Sequence, residues 1–126
     1  MTKINEVYRC EVCGNIVEVV NASTGLLVCC NQPMKLEEKH EQDKGLEKHV
    51  PIIQKEGNYI IVKIGDVEHP MEEDHYIEWI ELIVDEAVYR TYLTHMDKPK
   101  ASFTVPERHI EISARAYCNI HGLWKS

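Results

Sequence analysis

The stretch HIEISARAYCNIHG, residues 109–122, decides the fold class of this chain of 126 residues. Apolar and polar side chains alternate along it, which predicts a half-buried β-strand ending at Cys118. The apolar face would consist of Ile110, Ile112, Ala114, Ala116 and Cys118. A cysteine on that face is either an inert apolar side chain or a ligand, and the pattern leaves both readings open.

Short apolar runs separated by turn residues continue this pattern toward the N-terminus. Glu56-Gly57-Asn58 separates two such runs, and Asp85-Glu86 separates two more, which predicts two β-hairpins. No helical stripe is evident after Leu46. Six or seven short strands in this region predict an antiparallel β-sandwich.

A charged segment, EEKHEQDKG at residues 37–45, precedes this region and lacks hydrophobic periodicity. We therefore expect a solvated linker at 38–45, between an N-terminal module at 1–37 and a second domain at 46–126. Domains of fewer than about 40 residues usually need a metal or a partner to fold. The module is thus expected to be stabilised by a metal.

Composition and charge exclude several functional classes. Apolar residues make up 44% and charged residues 28% of the chain, which is typical of a globular protein. The formal net charge of −7 argues against nucleic-acid binding, which requires a basic surface. No apolar run approaches the roughly 18–20 residues of a membrane span, and the N-terminal MTKINEVYRC has no apolar signal segment. We expect a cytoplasmic protein with reduced thiols and no membrane partner.

Four early cysteines have the spacing of a metal site, in RCEVCG and LVCCNQ. A C-x-x-C pair lets two thiolates meet one ion, and a second pair completes a tetrahedron with bonds of about 2.3 Å. The adjacent pair Cys29-Cys30 can share one ion only if the backbone bends there, because neighbouring strand side chains point to opposite faces. Zinc, iron and a pair of disulfides all remain open from spacing.

Seven histidines fall into two groups. His40, His95 and His109 lie in charged or turn contexts, which favours solvated side chains. The other four lie in compact contexts, one of them three residues after Cys118: His49, His69, His75 and His121. Four imidazoles and a thiolate exceed the four ligands of structural zinc. If all five meet, a sixth octahedral position stays vacant for a small ligand, such as an oxygen species, on a redox-active ion.

Together these motifs resemble those of desulfoferrodoxin, the two-iron form of superoxide reductase. The resemblance covers nearly the whole chain. It rests on YRCEVCGNIVEVV and LVCCNQPMKL in the first module, and on EKHVP, HPMEEDHYIEWIEL and YCNIHGLWK in the second. It implies an all-β protein, in which a small rubredoxin- or desulforedoxin-like metal module precedes an immunoglobulin-like β-sandwich.

The resemblance also implies two iron ions per chain. The first would be held by Cys10, Cys13, Cys29 and Cys30. The catalytic iron would take four imidazoles and one axial thiolate, from His49, His69, His75, His121 and Cys118. Glu47 and Lys48 match the pair that lies beside the open position in the family: Lys48 would attract the anionic substrate, and Glu47 would bind the vacant position of the oxidised iron.

The activity implied is one-electron reduction of superoxide to hydrogen peroxide by a homodimer supplied with electrons by a rubredoxin-type carrier. Two other functions are consistent with the residues. A superoxide dismutase would need no outside electrons, and a zinc-stabilised β-sandwich that binds a protein partner would have no catalytic iron.

Overall fold

The computed structural model describes residues 1–40 and 49–126. They form two units, Met1–Glu38 and Lys39–Ser126. All regular structure in the described ranges is β-strand, as predicted. No helix among these residues has the length and apolar character that crossing a bilayer requires. Most of the predicted linker, residues 41–45, lies outside the described ranges.

The first unit contains five short strands: β1 (Val7–Arg9), β2 (Ile16–Glu18), β3 (Val28–Cys29), β4 (Gln32–Pro33) and β5 (Lys35–Leu36). Strand β1 lies between β2 and β5 in one antiparallel sheet, and β3 pairs with β4 in a second. The buried apolar residues of this unit are Val7, Cys10 and Val19. Such a small core agrees with the expectation that a metal stabilises the unit.

The described residues of the second unit form seven strands: β6 (Pro51–Glu56), β7 (Tyr59–Ile64), β8 (Ile77–Val84), β9 (Ala87–Tyr92), β10 (Lys100–Thr104), β11 (Ile112–Cys118) and β12 (Gly122–Lys125). They form a sheet of order β10-β7-β6 and a sheet of order β12-β11-β8-β9. Both predicted hairpins are confirmed, β6–β7 and β8–β9. Apolar side chains from both sheets form one core, so the predicted antiparallel sandwich is confirmed.

Strand β11 confirms the alternation of side chains between two faces, with two corrections. The strand is not half-buried, because Arg115 and Tyr117 on the opposite face are buried as well. Ala114, Ala116 and Cys118 belong to the buried core, and Ile112 packs against it. Ile110 is 93% exposed, so its predicted place on the buried face is wrong. The amides of Ile110 and Glu111 donate to Oδ1 of Asp85 at 3.0 and 2.9 Å. The strand begins after them because this carboxylate takes the amides that would otherwise be free to pair along a strand.

Replacing Asp85 with alanine is expected to lower the melting temperature, since it removes the acceptor for both amides and places alanine at φ +53°. Hydrogen bonds from the Glu111 and Ile110 amides lower the pKa of Asp85 below its usual value of about 3.9. The stabilisation from this lowered pKa is present above the unfolded-state pKa and is lost as pH falls through the folded-state pKa. Melting curves at pH 7 and near pH 3 should therefore show a smaller difference between wild type and variant in acid.

Asp85→Asn is the matched control, because asparagine keeps an acceptor and tolerates the left-handed backbone. It should lose less stability at pH 7 than the alanine variant. An equal loss for the alanine variant at both pH values would contradict the role assigned to the carboxylate charge.

A buried carboxylate ties three strands of the larger sheet together. Glu81 on β8 is fully buried and accepts hydrogen bonds from Arg90 on β9 at 2.6 Å and from Arg115 Nη2 on β11 at 2.8 Å. Breaking a buried ion pair by removing one partner costs about 3–5 kcal/mol, so these contacts favour one alignment of the strands. The alignment of β11 in turn determines where Cys118 lies.

Strand pairing brings the ends of several strands, and the segments attached to them, to one end of the sandwich. Pro51 at the start of β6 pairs with Ile64 at the end of β7. Cys118 at the end of β11 pairs with Ile77 at the start of β8 and with Gly122 at the start of β12. The segments that precede β6, join β7 to β8 and join β11 to β12 therefore meet at this end.

Candidate metal centres

The four-cysteine cluster consists of Cys10, Cys13, Cys29 and Cys30, whose sulfur atoms all lie within 4.8 Å of one another. Its backbone bends where the sequence predicts it. Gly14 has φ +83°, which a glycine adopts freely, and Cys30 has φ +51°. Because Cys30 leaves the strand conformation, its side chain can point to the same side as that of Cys29.

Distances within this cluster fit a single ion. Sγ of Cys13 is 3.6 Å from Sγ of Cys29, and bonds of about 2.3 Å in a tetrahedron place sulfur atoms about 3.8 Å apart. The amide of Asn15 donates to Sγ of Cys13 at 3.5 Å, as suits a thiolate acceptor. All five cysteines of the chain are free thiols in the structure, which rules out the disulfide alternative there.

The thiols of this cluster are close enough to change one another's acidity. A hydrogen bond from the backbone of Cys13 lowers the pKa of Cys10 to about 6. The neighbouring thiols, Cys13 foremost, raise the pKa of Cys30 to about 12. Ionisation of Cys10 is therefore favoured, whereas that of Cys29 and Cys30 is opposed by their neighbours. A divalent cation removes that conflict, because all four sulfurs can then be thiolates.

The histidine–cysteine cluster consists of His49, His69, His75, Cys118 and His121. His49 precedes β6, His69 and His75 lie between β7 and β8, and Cys118 and His121 flank the turn from β11 to β12. The donors thus come from the three segments gathered at one end of the sandwich. His121 is exposed and the other four are buried, so the cluster reaches solvent at His121.

The four imidazole rings lie near the corners of a square. Neighbouring ring centroids are 4.6 Å (His49–His69), 4.9 Å (His69–His75), 5.2 Å (His75–His121) and 4.8 Å (His121–His49) apart. The His49–His75 diagonal is longer, at 6.5 Å. Neighbouring rings cross at 64–83°, so each ring can direct one nitrogen toward a common centre.

The donor atoms lie at separations that one metal ion would impose. Nε2 of His49 is 3.1 Å from Nδ1 of His121, and two nitrogens bound at right angles at about 2.0–2.1 Å lie about 2.9 Å apart. Sγ of Cys118 is 3.7 Å from the same Nδ1. Donor atoms of His49, His75, Cys118 and His121 all lie within 4.8 Å of one another. Imidazoles with one thiolate suit a first-row transition metal, so these residues fit the expected iron.

His69 lies outside that set of four atoms but has a fixed orientation. Its Nδ1 is 2.7 Å from the carbonyl oxygen of Pro70. A carbonyl only accepts, so Nδ1 carries the proton and the buried Nε2 keeps its lone pair. Metal-binding histidines are commonly oriented in this way. His69 therefore occupies the fourth corner of the square with a nitrogen available for a metal.

Trp124 supports the cluster, and sequence reasoning missed it. Its indole stacks on His49 with centroids 4.5 Å apart, and its Nε1 donates to the carbonyl oxygen of His121 at 3.2 Å. His40, expected to be solvated, instead places its ring 4.9 Å from Trp124 and pairs through its backbone with β12. Only the unusual composition of the C-terminal GLWK could have drawn attention to the indole.

The remaining predicted residues lie apart from the cluster or outside the described ranges. His95 is exposed, as expected, whereas His109 is half-buried and its Nε2 lies 3.3 Å from Nζ of Lys55. Glu47 and Lys48 lie outside the described residues.

Comparisons with known proteins point to one family. Residues 41–126 match the family model described as desulfoferrodoxin, and residues 2–36 match the desulfoferrodoxin N-terminal domain. A desulfoferrodoxin homolog of Archaeoglobus fulgidus is 62% identical over 126 residues, covering 100% of this chain and 99% of that protein. The four-cysteine and histidine–cysteine clusters match the two iron centres of desulfoferrodoxin.

Solved structures give the same fold. A superoxide reductase from Treponema pallidum aligns with a TM-score of 0.80 at 23% identity, covering 96% of each chain. A one-iron superoxide reductase from Giardia intestinalis aligns with a TM-score of 0.58 at 36% identity, covering 64% of this chain and 96% of that one. The first of these likenesses bears on the fold alone.

Proposed function

Because this chain belongs to the desulfoferrodoxin family, we propose that it is a superoxide reductase whose catalytic iron is bound by the histidine–cysteine cluster. The observation that carries this proposal is the square of four imidazoles with the thiol of Cys118 beside it. The cluster would hold iron(II), which would supply the one electron needed, with two protons, to convert superoxide into hydrogen peroxide.

The protein contributes by holding the donor atoms in place and by setting the net charge of the iron centre. The four imidazoles would bind iron(II) as neutral ligands and Cys118 as a thiolate, so the loaded centre would carry a net charge of about +1. That local charge favours an anion even though the chain as a whole carries −7. Cys118, which is fully buried, would donate electron density to the metal without competition from water.

Lys48 and Glu47 are proposed to act at the open side of the centre. Both assignments rest on the EKHVP motif, in which they directly precede the ligand His49. Lys48 would attract superoxide, and Glu47 would occupy the open position when the iron is oxidised and so protect the resting enzyme.

Lys48→Ile is expected to slow the second-order reaction with superoxide by about ten- to a hundredfold and to flatten its salt dependence. A unit charge about 6 Å from an anion contributes about 0.7–2.8 kcal/mol for effective dielectric constants of about 80 to 20, or about 3- to 100-fold in rate. Rapid-mixing or pulse-radiolysis kinetics at low and high ionic strength measure both effects.

Lys55→Ile is the matched control, since it removes the same charge from the far end of β6. Its rate should stay close to that of wild type. If Lys48→Ile also reacted at the wild-type rate at low ionic strength, the steering role of Lys48 would be wrong.

Metal content and product stoichiometry test the proposed function against its rivals. Two irons per chain are expected, with one hydrogen peroxide formed and one donor electron consumed for each superoxide. A dismutase would need no donor and would release dioxygen. A single colourless zinc per chain would instead support the interaction module.

The electron is proposed to come from a small rubredoxin-type carrier, and the active protein is proposed to be a cytoplasmic homodimer. Family membership supports these three assignments. Reduction of the oxidised catalytic iron by purified rubredoxin tests the first, and light scattering tests the dimer.

A further inference from the structure

His75 is carried by a turn that two backbone hydrogen bonds close. The amide of Glu72 donates to the carbonyl oxygen of His75 at 2.8 Å, and the amide of His75 donates to the carbonyl oxygen of Glu72 at 3.1 Å. These bonds define the shape of the turn. They do not relate it to the β11–β12 segment, which supplies Cys118 and His121.

The side chain of Asn119 connects the turn that contains His75 to the β11–β12 segment. Its Oδ1 accepts a hydrogen bond from the amide of Tyr76 at 2.9 Å, and its Nδ2 donates to the carbonyl oxygen of Asp74 at 3.0 Å. Its own amide donates to the carbonyl oxygen of Tyr76 at 3.2 Å. One residue therefore holds the peptide groups on both sides of His75.

Asn119 directly follows Cys118 and lies two positions before His121. We propose that Asn119 is a positioning residue that fixes His75 relative to Cys118 and His121, so that the donors stand in place when iron arrives. The inference rests on the proposed function and deepens it, because it names the residue that aligns two of the metal-binding segments. Asn119 does not itself bind the metal.

The physical reason is preorganisation. Donors that are already ordered lose less conformational entropy when the ion binds, and they hold it in one geometry afterwards. Changing a residue that orients metal ligands typically weakens metal binding or activity by about 10- to 100-fold. Without its side chain, residue 119 would keep only its backbone hydrogen bond to Tyr76.

The test is release of ferrous iron to a chelator from the full-length protein loaded at both clusters. In Asn119→Ala, iron is expected to leave the histidine–cysteine cluster about 10- to 100-fold faster than in wild type. Iron in the four-cysteine cluster should leave at the wild-type rate, which gives a control within the same molecule. The cysteine-to-iron absorption band of the oxidised histidine–cysteine centre should also shift, because the angle between Cys118 and the imidazoles is no longer fixed.

Two further variants sharpen the comparison. Asn119→Asp keeps the acceptor for Tyr76 but loses the donor to Asp74, so its iron release should lie between those of wild type and Asn119→Ala. Asn58→Ala makes the same substitution in the exposed β6–β7 turn, at the other end of the sandwich, and should change neither release rate.

Wild-type release from the histidine–cysteine cluster of Asn119→Ala would overturn the inference. Equal acceleration at both clusters would also overturn it, because that result reports general loss of stability. Failure of the proposed function would look different: wild-type protein would hold both irons yet not reduce superoxide, and the release rates would still test Asn119.

Discussion

Replacing Cys118 with serine is expected to abolish reduction of superoxide while leaving iron in the four-cysteine cluster. A thiol ionises near pH 8.5 and more readily beside a metal, whereas a serine hydroxyl stays protonated and donates little electron density. Serine is similar in shape, so the fully buried site is not left with a large cavity. Burying the hydroxyl costs about 1–3 kcal/mol, which is less than the stability of a typical domain.

Rapid-mixing assays and a count of iron at each centre measure this result. Ala116→Ser is the matched control, because it places a hydroxyl on the same buried face of β11, two residues earlier, without changing a donor. That variant should keep its activity. Reduction of superoxide by Cys118→Ser at the wild-type rate would show that the thiolate does not drive electron transfer.

Replacing Cys10 with serine is expected to unfold the first unit and to leave the activity of the second. Binding of a structural zinc ion contributes about 10–16 kcal/mol in zinc-finger peptides, and the apolar core of this unit is too small to replace a contribution of that size. The histidine–cysteine cluster lies entirely within Lys39–Ser126 and needs no donor from the first unit. Iron content should fall from two to one per chain.

Amide hydrogen exchange measures folding separately in each unit. Amide protection should be lost in Met1–Glu38 and kept in the sandwich. Val12→Ser, at an exposed position between Cys10 and Cys13, is the control that should retain both irons. A first unit that stayed protected with no iron bound would mean that its small core is sufficient for folding.

The sequence predicts the strands of the sandwich well because their signals are local. Alternation along β11 and the turn residues at Gly57 and Asp85 each depend on neighbours in the chain. Ile110 shows where this reasoning fails. Its apolar side chain fits the pattern, but its amide donates to the carboxylate of Asp85, twenty-five residues earlier, and the strand begins only at Ile112.

The two clusters differ in how far spacing could predict them. In the four-cysteine cluster, Cys29-Cys30 required a bent backbone, and the left-handed φ of Cys30 provides it. The histidine–cysteine cluster draws on three distant segments, so its convergence follows from strand alignment and was expected only through the family resemblance. The roles of Asn119 and Trp124 could not be predicted from the sequence, because they depend on hydrogen bonds and stacking across those segments.

The sulfur atoms differ in exposure, and this difference determines which of them oxidants can reach. Cys13 and Cys30 are exposed, whereas Cys118 is 0% exposed. Oxidants attack accessible thiolates first, and the proposed reaction would itself release an oxidant, hydrogen peroxide, at the histidine–cysteine cluster. We therefore expect oxidation to begin at the four-cysteine cluster, whose unit is expected to be dispensable for the reaction, while burial protects Cys118.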